Sequence, residues 1–245
     1  MRSLHIIMPM AGEGSRFVNE GWTTPKPLIE INDKPLFLRA IESINTNAQI
    51  KYSFIVRQNH IESYEIDKRI KYHLPNANVF SVKQTTRGAV ETCLIAESVI
   101  EDDDAVIIMD CDLEFKSKEF IENINALLNV RHTKCGGALL SFDSDLPKYS
   151  YAEIDKHGFV VRTAEKEVIS NHALCGAYFF TSGKRFKEVA HQLLNEVNFK
   201  KPEFYVSLLY NYLLRNDEYV QLTKVDEYYS YGTPEELKQY GKKFY

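Results

Sequence analysis

The sequence predicts a three-layer α/β/α domain built on a mixed, mostly parallel central sheet. Three observations carry that expectation. Strand-length apolar runs alternate with helical patterns through the first half. A hairpin signal and further strand-like runs fill the second half. No linker, internal repeat or low-complexity tract divides the 245 residues. Hydrophobic residues make up 44% and charged residues 26%, an ordinary globular composition.

In chain order, Leu4–Met8, Tyr52–Val56, Ala77–Val82 and Ala105–Met109 are β-branched or apolar runs of strand length. Helical faces lie between and after them. Leu36, Phe37, Ala40, Ile41 and Ile44 share one face, as do Val90, Leu94 and Val99, and then Phe120, Ile124, Leu127 and Leu128. Gly136–Phe142, Tyr151–Asp155, Phe159–Arg162 and Cys175–Thr181 read as strands, the middle two joined by Lys156-His157-Gly158. These antiparallel strands are expected to join the same sheet. One helix is expected through Phe186, Val189, Ala190, Leu193, Leu194 and Val197, and another through Phe204, Leu208, Leu209, Tyr212 and Leu213. Tyr219–Val225 and Tyr228–Tyr231 follow as strands. A last helix opens at Thr233-Pro234-Glu235-Glu236, with Thr as N-cap, Pro first and acids in the first turn.

The net charge of −4 supplies no global basic field, so neither nucleic acid nor an anionic membrane is an expected partner. No apolar run approaches the roughly 20 residues of a membrane span. The N-terminal apolar run, broken by Pro9, is too short for a secretion signal, and the expected location is cytoplasmic. Cys93, Cys111, Cys135 and Cys175 form no CxxC pair and match no zinc template, so four reduced thiols in or near a core are expected.

Gly12-Glu13-Gly14-Ser15-Arg16 follows the first strand and therefore lies at its carboxyl end, where open α/β sheets bind ligands. Glycine lets the backbone turn tightly and bring N–H groups to an anion. A dinucleotide fingerprint would need glycine at Phe17 and an acid after the second strand, where Arg57-Gln58-Asn59 stand. The Walker pattern GxxxxGK[ST] is absent, and a turn without ligand is the bland alternative. Arg16 offers a forked guanidinium suited to phosphate oxygens. Lys26 is restricted by Pro25 and Pro27, which lowers the entropy lost in fixing it. A glycine cradle with two fixed cations suits a nucleoside triphosphate. Asp110 and Asp112 end the fourth strand, and residues two apart in an extended segment point the same way. Both acids could serve one divalent ion; loop capping is the alternative.

The runs A-G-E-G-S-R-F and P-K-P-L together resemble the GxGxR…PKP signature of nucleotidyltransferases that activate sugar phosphates. The resemblance implies a Rossmann-like single domain over residues 1–245, with a nucleotide-binding half over 1–135 and an acceptor-binding half over 136–245. In that family the glycine/arginine loop holds the triphosphate, and the lysine of PKP touches the α-phosphate and the entering phosphate. Those roles fall to Gly12, Gly14, Arg16 and Lys26, with Met10, Ala11 and Ser15 completing the loop. Gln84-Thr85-Thr86-Arg87-Gly88-Ala89 resembles the base-reading loop, which makes Gln84, Gly88 and Ala89 nucleotide contacts and favours a pyrimidine. An ordinary strand-to-helix turn is the alternative there. By the same resemblance Asp112 is the principal Mg2+ ligand, and Asp110 a nucleotide-side helper or structural acid.

The family often carries an acid two residues before Gly-Thr near the C-terminus, where this sequence has Ser230. Asp226 or Glu227 from a shifted strand, or Ser230 through water, are the alternatives, and Asp226 is carried forward. Glu165-Lys166 and Gly176 resemble the acceptor segment, with Glu165 on hydroxyls and Lys166 on the acceptor phosphate; a solvated charge cluster is the alternative. Glu203-Phe204-Tyr205 reads as a helix start with core aromatics, and Tyr149, Tyr151 and Gly158 as hairpin-shaping residues.

The implied reaction joins an NTP to a phosphorylated acceptor, most simply a sugar 1-phosphate for capsule or other surface-polysaccharide precursors, and releases pyrophosphate. Phosphocholine or phosphoglutamine are alternative acceptors for a CTP-dependent version. A glycosyltransferase using Asp110-x-Asp112 and a catalytically silent nucleotide-binding subunit are further alternatives. The sequence leaves subunit assembly open, including a homo-oligomer.

Overall fold

The computed structural model describes residues 2–241. The chain starts with β1 (Leu4–Met10), the short helix α1 (Ser15–Asn19) and a two-strand ribbon, β2 (Glu30–Ile31) and β3 (Lys34–Pro35). Then come α2 (Leu36–Glu42), β4 (Ile50–Arg57), α3 (Gln58–Tyr64), α4 (Ile66–His73), β5 (Asn78–Val82) and α5 (Ala89–Leu94). The middle holds β6 (Ala105–Met109), β7 (Leu113–Lys116), α6 (Lys118–Leu128) and β8 (Cys135–Asp143). The rest comprises β9 (Ser150–Ile154), β10 (Val160–Glu165), β11 (His172–Phe180), α7 (Gly183–Leu194), α8 (Leu209–Arg215), β12 (Tyr219–Lys224), β13 (Glu227–Ser230) and α9 (Pro234–Gly241).

Nine strands form one mixed sheet in the order β10-β9-β11-β6-β1-β4-β5, with β8 on β11 and β12 on β8. The strands β5, β4, β1, β6, β8, β12 and β9 run one way, whereas β10 and β11 run the other. The sheet is therefore mostly parallel, and the second-half strands do join it. Strand β11 is the junction. Its residues Ala177–Phe180 pair with β6, and Tyr178–Phe180 also pair with β8.

Alternation of side chains divides the core between the two faces. Ile6, Met8, Phe54, Val56, Ile107 and Met109 face one cluster with α2 and α6. Ile7, Ile55, Val106 and Ile108 face the other with α5, α7 and α8. Each fully buried side chain of this size contributes about 1.5–3 kcal/mol. Burial on both faces is why these strands read as continuous apolar runs rather than alternating ones.

Helix ends follow local chemistry. Ser117 and Ser182 accept from Phe120 N and Arg185 N and start α6 and α7. Thr233 Oγ1 accepts from Glu236 N and starts α9 as expected. The hairpin between β9 and β10 turns at Gly158, φ +84°, with Asp155 N donating to Phe159 O.

Four expected helical stretches are shorter than their apolar spacing suggested, and the first of them, α2, ends at Glu42, before Ile44. Helix α5 ends at Leu94, and Val99 lies in a separate 3₁₀ turn, Glu97–Val99. Helix α7 ends at Leu194, leaving Val197 94% exposed. Phe204 lies before α8, not in it. Its N donates to Arg87 O and its O accepts from Val90 N, and a 3₁₀ turn over Val206–Leu208 leads into α8. All four cysteines are buried and free. No helix among the described residues is long and apolar enough to cross a membrane.

Candidate active site

A cleft of about 810 Å³ opens at the carboxyl ends of β1, β4 and β6, the end at which open α/β sheets bind ligands. The loop after β1 lines it with Met10, Gly12, Gly14, Ser15 and Arg16. Lys26, Asp110 and Asp112 line it, as do Ser150 of β9, Glu165 of β10 and Gly176 of β11. Ala11 stays buried behind the loop, its carbonyl accepting from Arg57 Nη1 at 3.2 Å.

The glycine loop is shaped by its neighbours. Gly14 has φ +61°, the left-handed region that favours glycine. Nothing in the protein lies within 4 Å of where a Cβ at Gly12 would stand, so that backbone faces open cleft. Lys26 opens a 3₁₀ turn, Lys26–Leu28, in which Leu28 N donates to Pro25 O at 2.8 Å. Pro27 and Leu28 are buried and anchor the turn.

From this anchored position Lys26 Nζ lies 2.5 Å from Asp112 Oδ2. Burial alone would lower the ammonium, but the charge and hydrogen bond of Asp112, with Asp110 nearby, outweigh it and hold Lys26 above its ordinary value. The protein packed around Asp110, followed by the Asp112 charge, pushes the Asp110 carboxyl above the usual carboxylate range, offset in part by Lys26. Asp110 N donates to Gly176 O at 2.9 Å. Gly176 has φ +79°, and a Cβ there would stand 2.5 Å from Asp110 Oδ2. Glycine at 176 is thus required by both the left-handed backbone at the irregularity in β11 and the neighbouring acid.

A second carboxylate beside Asp112 comes from Glu236, which the sequence offers only as a first-turn acid of α9. Strand β13 pairs antiparallel with β7, Ser230 opposite Leu113, and Tyr231 N donates to Asp112 O at 2.7 Å. This ribbon carries Gly232 and the start of α9 to the Asp112 side chain. A Cβ at Gly232 would lie 3.2 Å from Asp112 Oδ2 and 3.3 Å from Glu236 Oε2, so the two carboxylates border one small space. Ser230 Oγ donates to Glu236 Oε2 at 2.8 Å. Asp226, the expected second ligand, is elsewhere. It sits at the far end of the ribbon, exposed, and its Oδ2 accepts from Lys118 N at the start of α6. Its carboxylate serves a helix N-terminus. No group of three or more metal-ligating side chains occurs among the described residues. Magnesium, however, takes one or two carboxylates beside phosphate oxygens and water, and Asp112 with Glu236 fits that donor set.

At the end of β10 Glu165 is buried and its Oε2 accepts from Ser207 Oγ at 2.8 Å. Burial raises its carboxyl, opposed by the Ser207 and Ser150 hydroxyls. Lys166 Nζ bonds the hydroxyl of Tyr205, a cleft-lining residue, at 2.9 Å and lies over that ring. Tyr205 and Tyr149, assigned from sequence to a core helix and to hairpin shaping, line the cleft instead. In the expected base loop, Ala89 lines the cleft whereas Gln84 is exposed beyond it. A Cβ at Gly88 would strike Phe204 N at 2.5 Å, so close backbone packing accounts for that glycine.

Residues 4–242 match the nucleotidyl transferase family, and the chain belongs to it. It is therefore an enzyme that moves a nucleotidyl group from an NTP. The chain is 26% identical over 201 residues to 2-C-methyl-D-erythritol 4-phosphate cytidylyltransferase of Fusobacterium nucleatum, covering 80% of this chain and 79% of that protein. It is 28% identical over 144 residues to the bifunctional protein GlmU of Methanococcus maripaludis, covering 57% of this chain but 33% of that protein. Its fold is similar to the crystal structure of a nucleoside-diphosphate-sugar pyrophosphorylase from Vibrio cholerae RC9. The TM-score is 0.80 at 22% identity, over 97% of this chain and 99% of that one.

Proposed function

We propose that this enzyme transfers NMP from a pyrimidine NTP to a sugar 1-phosphate, in a magnesium-dependent reaction that releases pyrophosphate. The observation that carries the reading is the Lys26–Asp112 pair, held at 2.5 Å in a cleft that the glycine loop shares. An acceptor phosphate oxygen attacks the α-phosphorus in line and the pyrophosphate oxygen leaves. The attacking phosphate is already nucleophilic, so no protein base is required.

The obstacle is repulsion between two anions. Lys26 and Arg16 offset it with positive charge, and the walls of the cleft align the reactants, which contributes on the order of 7–11 kcal/mol. Asp112 and Glu236 would hold the Mg2+, which when bound supplies further charge neutralisation to phosphate oxygens. Residues 1–135 serve the nucleotide, and residues 136–245 supply Glu165 and Gly176 on the acceptor side. A cytoplasmic enzyme making precursors of capsule or another surface polysaccharide fits this chemistry.

A cytidylyl transfer to a non-sugar phosphate is the second reading. It is favoured by Tyr149, Tyr205 and Tyr228 on the cleft wall, which suit a cationic head group, and by the cytidylyltransferase among the relatives. A panel of four NTPs against sugar 1-phosphates, phosphocholine and phosphoglutamine, with pyrophosphate detection, separates the two. Release of nucleoside diphosphate instead of pyrophosphate would indicate glycosyl transfer and defeat both.

A further inference from the structure

We propose that Arg39 and Glu114 form a clamp behind the cleft that sets the spacing of Lys26 and Asp112; this rests on the reaction proposed above. Neither residue lines the cleft, so both are positioning residues and not substrate contacts. Lys26 and Asp112 come from segments far apart in sequence and meet through one ion pair of 2.5 Å. An entering triphosphate draws the ammonium away from the carboxylate. The ion pair alone therefore cannot hold the two segments in register during turnover.

A second tie runs behind it. The Lys26 turn passes into the β2–β3 ribbon, with Ile29 N donating to Lys26 O at 3.2 Å. In that ribbon the Ile31 carbonyl accepts from Arg39 Nε at 3.1 Å and from Nη2 at 2.6 Å. The remaining guanidinium nitrogen, Nη1, donates to Glu114 Oε2 at 3.0 Å. Glu114 stands on β7, just past Asp112. The same oxygen accepts from Tyr231 OH at 3.0 Å, and Tyr231 N donates to Asp112 O at 2.7 Å. The path closes a ring whose other side is the Lys26–Asp112 pair. Its members are packed in place. Tyr231 is fully buried among Ile29, Ile31 and Leu36, and the Arg39 side chain is 11% exposed. Ser43 Oγ accepts from Phe115 N at 3.0 Å, which fixes α2 along β7 and leaves Arg39 to reach the ribbon. Charge-assisted bonds from a planar fork hold this geometry more firmly than neutral ones, and a lysine has no fork with which to serve both acceptors.

The test compares Arg39→Met, Arg39→Lys and Glu114→Gln with the wild type. Ser182→Ala, which removes the cap of α7 outside the cleft lining, controls for lost stability. Pyrophosphate release is measured well below the melting temperature of every variant. Arg39→Met is expected to lower kcat about 10- to 100-fold while each substrate KM stays within about threefold, because the reactants still bind but are misaligned. Arg39→Lys loses nearly as much, and Glu114→Gln, which keeps the shape of the carboxylate, loses less and carries the test if Arg39→Met does not fold. Wild-type kcat in Arg39→Lys, or a loss confined to either KM, overturns the proposal. Hydrogen exchange by mass spectrometry, without substrates, supplies a readout apart from turnover. Peptides covering 26–36 and 111–116 should exchange about tenfold faster or more in Arg39→Met, and as in the wild type in Ser182→Ala. Unchanged exchange in Arg39→Met, or an equal rise in Ser182→Ala, overturns the clamp. Faster exchange with kcat within about twofold of the wild type marks a structural staple and overturns it too. A wild-type enzyme that releases no pyrophosphate with any acceptor defeats the reaction proposed above, and the clamp then stands or falls on the exchange alone.

Discussion

Alanine at position 176 tests how the acid pair is held. The added Cβ would stand 2.5 Å from Asp110 Oδ2 and 3.1 Å from Leu113 Cδ2, at a residue whose φ is +79°. Left-handed backbone costs an L side chain about 1–2 kcal/mol. Relief of the contact requires Asp110 to turn away or the Asp110 N to Gly176 O bond to open, and such a bond is worth about 0.5–1.5 kcal/mol. The sum is about 1.5–3.5 kcal/mol. For a chain of this length each kcal/mol lowers Tm by about 2–4 °C, so a fall of about 3–14 °C is expected by calorimetry. Turning Asp110 also disturbs the carboxylates facing Lys26, and a misplacement near 1 Å reduces turnover by up to about 100-fold. Gly176→Ala is therefore expected to lose both Tm and pyrophosphate release. A variant with wild-type Tm and turnover would show that Asp110 does not depend on the space beneath Gly176.

Other consequences can be measured separately. Asp112→Asn should raise the magnesium concentration needed for half-maximal turnover sharply, whereas Asp226→Asn should leave it unchanged. The latter should lower stability by about 0.3–1 kcal/mol through the weakened start of α6; equal metal effects would contradict the placement of Asp226. His5 is buried beside Ser53, its Nε2 2.9 Å from Ser53 Oγ, and burial lowers its pKa from 6.5 to about 4. Below pH 6.5 the unfolded chain takes up a proton that the folded chain refuses until about pH 4. Stability present at neutral pH therefore falls through that window, by about 3 kcal/mol over about 2.5 pH units. Urea titrations at pH 7 and 4.5 should show this loss reduced in His5→Gln; an identical loss in both proteins would count against His5. Gly88→Ala should destabilise the chain because its Cβ strikes Phe204 N, with thermal melting as the check.

Much of the fold was legible because its parallel strands are buried on both faces. Ala105–Met109 matches β6 residue for residue, and β1, β4 and β5 lie within two residues of their apolar runs. Glycine at 158 and threonine at 233 marked the hairpin and the last helix through local chemistry alone. What escaped depended on long-range pairing. Glu236 reads from sequence as an acid favouring a helix N-terminus. Only the antiparallel closure of β13 on β7 turns it toward Asp112. Asp226 attracted attention by spacing, but the same ribbon places it several residues along the strand from Asp112. Lys166 is a matching lysine whose left-handed backbone, φ +55°, goes with an ammonium held on Tyr205. Val197 continues helical spacing past the end of α7, and Phe204 does so ahead of the start of α8, so periodicity alone overextended both helices.

The most direct measurement is pyrophosphate release by Lys26→Ala at saturating NTP, acceptor and magnesium, alongside near-ultraviolet circular dichroism. Removing a positioned charge donor of this kind typically reduces turnover by about 10²–10³-fold. The account predicts a loss in that range with the wild-type dichroism spectrum. Turnover near that of the wild type would contradict the assignment of Lys26 and, with it, the cleft as the site of nucleotidyl transfer.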